Sequence, residues 1–208
     1  FFNVTNPAGF VAAIETFDSS SCAAKWRDES GANVGLYSRT GGGHSHVILV
    51  AYENYDMMQL GQNIFASCAA SSEMNVAFNK TSVSEDYYNY VTKLVLEAGD
   101  WRLNTVFSNI EVKVETGSQA SYLEAYKQLT DSTADSFGSY GINRVVYGNK
   151  YVSHMLYNGS NSVQELNDGL DEVYASNEFK TFNRKVGNIR KLVNSTLAQL
   201  IKAYPAER

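Results

Sequence analysis

Histidine and glutamate side chains are the residues of this chain best suited to acid–base chemistry. The sequence has three histidines, and two of them, His44 and His46, lie one residue apart in GGGHSHVILVAY (residues 41–52). A spacing of two places both side chains on one face of a β-strand. A histidine beside a carboxylate can act as a general base, and His-x-His with carboxylates can bind zinc or iron. An ordinary strand histidine is the third interpretation, and the pattern leaves all three open.

Two segments share the pattern of a strand that leads into a helix. Residues 9–31 and 109–132 each begin with alternating apolar residues, reach Glu-Thr, and continue with small polar residues before a helical pattern. Small polar residues cap helix N-termini, and apolar residues at a spacing of three to four mark a buried helix face. The alignment makes Glu15 equivalent to Glu115 and predicts a strand over residues 9–16.

Two further segments each predict a pair of strands joined by a glycine-containing turn. They are residues 32–54 and 138–160, and the second strand of each contains Ser-His: Ser45-His46 in one and Ser153-His154 in the other. The shared dipeptide supports the interpretation that the chain is an internal repeat.

The remaining segments complete the repeat. A helical pattern follows each strand pair, at residues 56–81 and 162–186, and each half ends in an apolar stretch, at residues 87–99 and 190–204. The last stretch fits either a strand or a helix after a short strand. Each half is therefore predicted as β-α-β-β-α-β, the ferredoxin-like order, with the first repeat at residues 1–104 and the second at 105–208.

Strand periodicity assigns side chains to the two faces of each predicted sheet. In the second repeat, Ile110, Val112, Val114 and Thr116 share a face that we expect under the helices. Glu111, Lys113 and Glu115 share the opposite face. By the alignment, Glu15 should likewise point away from the helices of the first repeat.

In this element order the chain resembles the dimeric α+β barrel superfamily, with two units fused in tandem. That group includes the antibiotic-biosynthesis monooxygenases and the stress-responsive barrel proteins. The resemblance implies an α+β fold in which two sheets form an intramolecular pseudo-dimeric barrel around a small, mostly apolar or aromatic molecule. Monooxygenases of the group use an Asn, a Trp and a His in one cavity. Trp26 falls in a predicted helix and Trp101 in the predicted linker, so this trio has no match.

The candidate catalytic residues are His46, His154, Glu15 and Glu115. If the histidine face lines the barrel, two of these side chains from each repeat converge as acid–base pairs. If that face lies under the helices, His46 is a core residue bonded to the backbone. No complete set of metal ligands is visible beyond His44 and His46, so we predict no metal site and no cofactor.

Charge and hydropathy limit the classes of molecule that we expect this protein to bind. The net charge is −5, with no basic stripe of the kind that nucleic-acid-binding proteins show. No apolar run approaches the ~20 residues that a membrane helix needs. We expect a small-molecule ligand and neither nucleic acid nor membrane, and we leave a homo-oligomer open.

The two cysteines bear on the compartment. Cys22 and Cys68 fall in the two predicted helices of the first repeat, which lie side by side in this fold. They are expected either to form a disulfide, which needs an oxidising compartment, or to remain buried thiols. The sequence begins at Phe1 without a methionine, and a cleaved secretory signal is one explanation. We therefore expect a secreted or periplasmic protein.

Two functions follow from these features. The first is the binding of a small apolar or aromatic molecule in a barrel cavity, which the 14 tyrosines and 10 phenylalanines favour. The alternative is a cofactor-independent oxidase or cyclase of the same superfamily that uses a His/Glu pair.

Overall fold

The computed structural model describes residues 1–205, with the backbone alone described at residues 84–87. Over these residues it contains seven α-helices and nine β-strands. The helices are α1 (Pro7–Asp18), α2 (Ser21–Ser30), α3 (Tyr55–Ala66), α4 (Ala69–Thr81), α5 (Gln119–Ser132), α6 (Val163–Ala175) and α7 (Asn177–Val186). The strands are β1 (Phe2–Val4), β2 (Asn33–Thr40), β3 (His46–Ala51), β4 (Ser82–Tyr87), β5 (Val91–Ala98), β6 (Val106–Val114), β7 (Ser139–Tyr147), β8 (His154–Ser160) and β9 (Arg190–Tyr204).

The chain forms two compact units. The first contains residues 1–39, 43–88 and 200–205, and the second contains residues 40–42 and 89–199. Strand β9 thus contributes to both units. The units are defined by contacts rather than by sequence similarity, so the predicted repeat boundary at residues 104/105 stays a prediction.

Each unit has an antiparallel sheet with ferredoxin-like strand order. The strands of the first unit hydrogen bond in the order β4-β1-β3-β2, and those of the second in the order β9-β6-β8-β7, with β5 added beside β7. The predicted β-α-β-β-α-β order is confirmed, although two of the four predicted helices, at residues 56–81 and 162–186, are each divided into two, and the additional helix α1 precedes α2. The final apolar stretch is a strand of 15 residues.

The first predicted strand is wrong: residues 9–16 lie in helix α1. Asn6 accepts a hydrogen bond from the Gly9 N–H, and a proline occupies the first turn, so both features start a helix. Phe10, Ile14 and Phe17 are buried at helical spacing. The apolar residues at positions 10, 12 and 14 mimic strand alternation, whereas the true first strand is the three-residue β1.

Capping and residue spacing also explain helices α2 and α5. The Ser20 hydroxyl caps α2 by accepting the Ala23 N–H at 3.1 Å. Gly31 ends α2 in the left-handed conformation at φ 64°, which glycine adopts without strain. In α5, Tyr122, Tyr126 and Leu129 are buried on one face, as their spacing predicts.

Each unit has its own core between helices and sheet. In the first unit, Phe10 stacks on Phe78 with ring centroids 4.2 Å apart, and Leu36 of β2 is fully buried. In the second, Val112 and Val114 of β6 pack with Tyr122 of α5. The expected helix-facing side of β6 is thereby confirmed.

A disulfide joins Cys22 of α2 to Cys68, the N-cap residue of α4, with a Cα–Cα distance of 6.1 Å. Of the two alternatives left open for these cysteines, the structure has the bridge.

Candidate functional site

The two Ser-His pairs occupy equivalent positions in their own units. The Ser45 hydroxyl accepts the Val4 N–H at 2.9 Å and lies 2.8 Å from His46 Nδ1. The Ser153 hydroxyl accepts the Val114 N–H at 2.7 Å and lies 3.0 Å from Nδ1 of the adjacent histidine. In each unit the serine hydroxyl thus connects two strands: β1 with the start of β3 in the first unit, and β6 with the start of β8 in the second.

Both histidines face the helices of their own unit. His46 lies beside Phe10 of α1, with ring centroids 6.0 Å apart, and His154 lies beside Tyr122 of α5 at 5.9 Å. The sequence left two orientations open for the strand face that carries the histidines, and in the structure this face lies under the helices. The expected bond to the backbone is replaced by one to the neighbouring serine.

Burial disfavours the charged imidazolium in both units. It lowers the pKa of His46 below its ordinary value, and it lowers the pKa of His154 with a smaller contribution from the positive charge of Arg144. Each imidazole is therefore a neutral group in the core of its unit.

Glu15 and Glu115 do not join these histidines. Glu15 was expected in a sheet, but it lies on the exposed side of helix α1 and pairs with Lys202 at 2.6 Å. Glu115 is exposed just after β6, where its N–H bonds to the Ile189 carbonyl at 2.9 Å. No hydrogen bond or ion pair connects either carboxylate to a histidine among the described residues. The acid–base role of these four residues remains a prediction without such a contact.

His44 precedes β3 rather than sharing a strand face with His46. Its ring meets the ring of Tyr88 edge-on at 4.9 Å. Within residues 1–205 no group of three or more His, Cys, Asp and Glu side chains is placed to hold a metal ion. None of the described helices is long and apolar enough to span a lipid bilayer.

A different set of residues, one carboxylate among aromatic and sulfur-containing side chains, gathers on the side of the second unit's sheet that faces away from its helices, which we call the open face. Strand register places Glu111 beside Met155 and Phe107 beside Gly159 on neighbouring strands. Tyr157 lies between these two rows on β8. Glu111, Phe107 and Tyr157 are all buried, so the open face carries a carboxylate among aromatic rings and a thioether.

Glu111 has hydrogen-bond donors at both carboxylate oxygens. The Tyr90 hydroxyl donates to Oε1 at 2.8 Å, and the Asn194 side-chain amide lies 3.4 Å from Oε2. The same Tyr90 oxygen is 3.5 Å from the Met155 sulfur. A carboxylate that is only 4% exposed is costly unless it is hydrogen-bonded. These donors therefore hold a proton acceptor in place on the open face.

The triple-glycine turn makes room for one of these donors. Gly42 has φ 73°, and a Cβ at this position would lie 2.4 Å from the Asn194 amide nitrogen. Gly43 has a similar φ of 83° but no atom within 4 Å of its would-be Cβ. The segment that contains His44 and His46 thus also shapes the surroundings of Glu111.

A second tyrosine–glutamate pair lies on the same face. The Tyr157 hydroxyl donates to Glu97 at 2.7 Å. Gly141 pairs with both residues from the intervening strand β7. Burial, and then the hydrogen bond to Glu97, raise the pKa of Tyr157, so this phenol is a donor at every physiological pH.

The corresponding face of the first unit carries a cation. The Arg39 guanidinium lies over the Phe1 ring, 4.6 Å from its centroid, and is almost fully buried. Tyr37 lies against Gly35 on the same strand, and burial raises its pKa to about 12. The equivalent faces of the two units therefore differ in charge, although their folds repeat.

Sequence reasoning placed Glu111 on the correct face but did not select it. The candidate catalytic residues were those with an equivalent residue in both repeats. The first repeat has no carboxylate at the position equivalent to Glu111. A usable signal was its position: a glutamate between Ile110 and Val112, in the middle of a strand, interrupts an apolar pattern where burial is expected.

Comparison with known proteins identifies similar folds. No protein-family model matches the sequence, and no curated protein matches it either. A crystal structure of an anthrone oxidase-like protein has a TM-score of 0.70 and 12% identity, covering 100% of this chain and 91% of its own. A "putative monooxygenase" from Fusobacterium nucleatum has a TM-score of 0.65 and 12% identity, covering 98% and 91%. Another from Lactobacillus acidophilus has a TM-score of 0.58 and 12% identity, covering 98% and 96%.

Proposed function

We propose that this chain, which has the dimeric α+β barrel fold, binds a small planar aromatic molecule on the open face of its second unit. The observation that carries the proposal is the buried Glu111 carboxylate with a tyrosine donor at 2.8 Å. Ligand sites are typically apolar surfaces with a few fixed polar groups that orient the ligand. Here Phe107, Tyr157 and Met155 supply apolar contact, and Glu111 with Tyr90 supplies the polar end.

Fold similarity supports the aromatic class. One similar structure is described as anthrone oxidase-like, and two others as monooxygenases. Anthrone is a planar aromatic ketone, and its size and flatness suit a sheet face lined by rings. A ligand hydroxyl or enol would donate to Glu111, and a ligand carbonyl would accept the single Tyr90 hydroxyl proton in place of Glu111.

The methionines provide a direct test. Of the four methionines, Met57, Met58 and Met74 lie in the first unit, and Met155 lies at the Glu111 site. In a chain labelled with ¹³C at the methionine methyl groups, titration with anthrone should shift the Met155 resonance saturably. The other three resonances serve as internal controls, and Met155→Leu assigns the signal. The absence of a saturable Met155 shift, or equal shifts of all four, would reject the proposal.

Two variants locate the polar contact. Glu111→Gln keeps the shape of the side chain but removes its charge, and Tyr90→Phe removes only the hydroxyl. Each should weaken anthrone binding by roughly tenfold, the usual effect of losing one charge-assisted hydrogen bond. Glu124→Gln is the matched control, because this exposed glutamate lies on α5, on the other side of the sheet, and it should bind as the unaltered chain does.

A second candidate function is oxidation of the bound molecule, and the Glu111–Tyr90 pair favours it. A carboxylate held at an aromatic ligand can accept a proton from an acidic C–H or O–H bond, and the phenol can stabilise the resulting charge. This alternative uses Glu111 in place of the His/Glu pairs. Oxygen uptake with anthrone as substrate tests it: activity that survives Glu111→Gln would exclude this role.

We also propose export to an oxidising compartment. The Cys22–Cys68 bridge supports this, because disulfides persist outside reducing cytosol. Thiol alkylation in extracts of the source cells, followed by mass measurement, distinguishes the bridged chain from a reduced one.

A further inference from the structure

The second unit contains a cavity of about 60 Å³ between its helices and the helix-facing side of its sheet. Ile110 and Leu156 line it, and these residues alternate along their strands with Glu111 and Tyr157. The cavity therefore lies on the opposite side of the sheet from the Glu111 site. Its other walls are largely aromatic, with rings from Tyr126, Tyr140, Tyr174, Phe137, Phe179 and Phe182.

A positive charge lies at the wall of this apolar space. The Arg190 guanidinium is 4.8 Å from the centroid of the Phe182 ring and donates one hydrogen bond to Asn183 Oδ1 at 2.6 Å. Burial raises the pKa of Tyr122 and of Tyr174, and the charge of Arg190 opposes the rise in both. The cation is therefore close to the phenol hydroxyl of Tyr174, which lines the cavity, and to that of Tyr122.

Arg190 has no acidic partner in the part of the chain that the structure describes. A guanidinium has five N–H donors, and its side-chain hydrogen bonds here, to Asn183 and to the Tyr122 hydroxyl, leave donors for a ligand. A half-buried cation without an acidic partner favours the binding of an anion. The planar guanidinium matches the two oxygens of a carboxylate. A phosphate would leave further charged oxygens against hydrocarbon walls, which is unfavourable.

We propose that this cavity is a second ligand site that binds a short-chain carboxylate. The carboxylate pairs with Arg190, and the alkyl chain lies among the aromatic rings. Each water-sized group needs roughly 10–15 Å³ of cavity volume. The cavity therefore admits about four to six non-hydrogen atoms, the size of propionate or butyrate. The Asn158 side-chain amide, also on the wall, offers a further polar contact.

Ligand-observed NMR titration of the full chain with sodium butyrate tests the proposal, with 1-butanol and inorganic phosphate as comparators. Butyrate should bind saturably and about tenfold more tightly than butanol, because only butyrate forms charge-assisted hydrogen bonds. Phosphate should not compete. The Met155 methyl signal should stay unchanged, which separates this site from the Glu111 site.

Arg190→Gln should abolish the preference for butyrate over butanol. Arg184→Gln is the matched control, since Arg184 is an exposed α7 residue bonded to Thr181, and it should bind as the unaltered chain does. If Arg190→Gln fails to fold, the Nε–H resonance of Arg190 in the unaltered chain gives the answer, because bound butyrate must shift it. Absence of saturable butyrate binding, equal affinity for butanol, or an unshifted Arg190 resonance would overturn the proposal.

Discussion

Gly141 and Tyr157 are paired across neighbouring strands so closely that the glycine has no room for a side chain. A Cβ at position 141 would lie 2.5 Å from the Tyr157 ring. The bare backbone lets the tyrosine cross β7 and reach Glu97 on β5. A glycine in a strand interior normally weakens the strand, so this one reflects a close approach.

Gly141→Ala should therefore destabilise the protein by about 1–3 kcal/mol, the usual effect of overpacking a buried site. Urea denaturation measures the change in the free energy of unfolding. The same substitution in a Tyr157→Ala background should cost less, because the ring that it strikes is gone. Equal losses in the two backgrounds would show that the crowding is not the cause.

Gly42→Ala should destabilise the protein more than Gly43→Ala. Both glycines have φ in the left-handed region, so both substitutions incur a similar backbone cost of roughly 1–2 kcal/mol. Only Gly42→Ala also displaces the Asn194 amide from Glu111. Denaturation of the two variants side by side gives the difference, and equal stability would contradict the role of Gly42 at this site.

Breaking the Cys22–Cys68 bridge should lower stability by about 4 kcal/mol, the chain-entropy value for a sequence separation of 46. The measurement is urea denaturation with and without dithiothreitol. The Cys22→Ala, Cys68→Ala double variant is the control, and its unfolding should not respond to the reductant.

Stability should fall as the pH decreases below about 6.5, the ordinary pKa of histidine. Above that value both folded and unfolded chains hold neutral histidines, so these residues contribute no pH dependence. Below it the unfolded chain takes up protons, whereas buried His46 and His154, with lowered pKa values, resist protonation. The free energy of unfolding should therefore decrease until the folded-state pKa values are passed.

The two histidines can be isolated from the carboxylates by comparison. The His46→Gln, His154→Gln double variant should show a flatter dependence between pH 7 and 5, a range above most carboxylate pKa values. Chemical denaturation at several pH values supplies the data. An unchanged slope would show that other groups produce the effect.

The β-α-β-β-α-β order was predictable because periodic patterns and the Ser-His dipeptide occur in both halves. The start of the first repeat was not, because Phe10, Ala12 and Ile14 fit both a strand and a helix, and the short β1 offers almost no pattern. The cap formed by Asn6 with Pro7 was the deciding signal.

The candidate site was only partly predictable. Alternation along β6 correctly assigned Glu111 to the face opposite the helices, but its donors come from distant parts of the chain. Tyr90 precedes the first strand of the second unit, and Asn194 lies on β9. Such contacts depend on strand order and register, which no single-strand pattern contains. The orientation of the histidines likewise depended on which side the helices pack.

Strand β9 has a consequence for biosynthesis. Its residues up to 199 belong to the second unit, while those from Leu200 belong to the first, where Tyr204 is part of the core. A ribosome adding about 5–20 residues per second needs on the order of ten seconds to make residues 89–199. The nascent N-terminal unit must wait that long for Tyr204, so its core cannot be complete until the end of β9 has been synthesised.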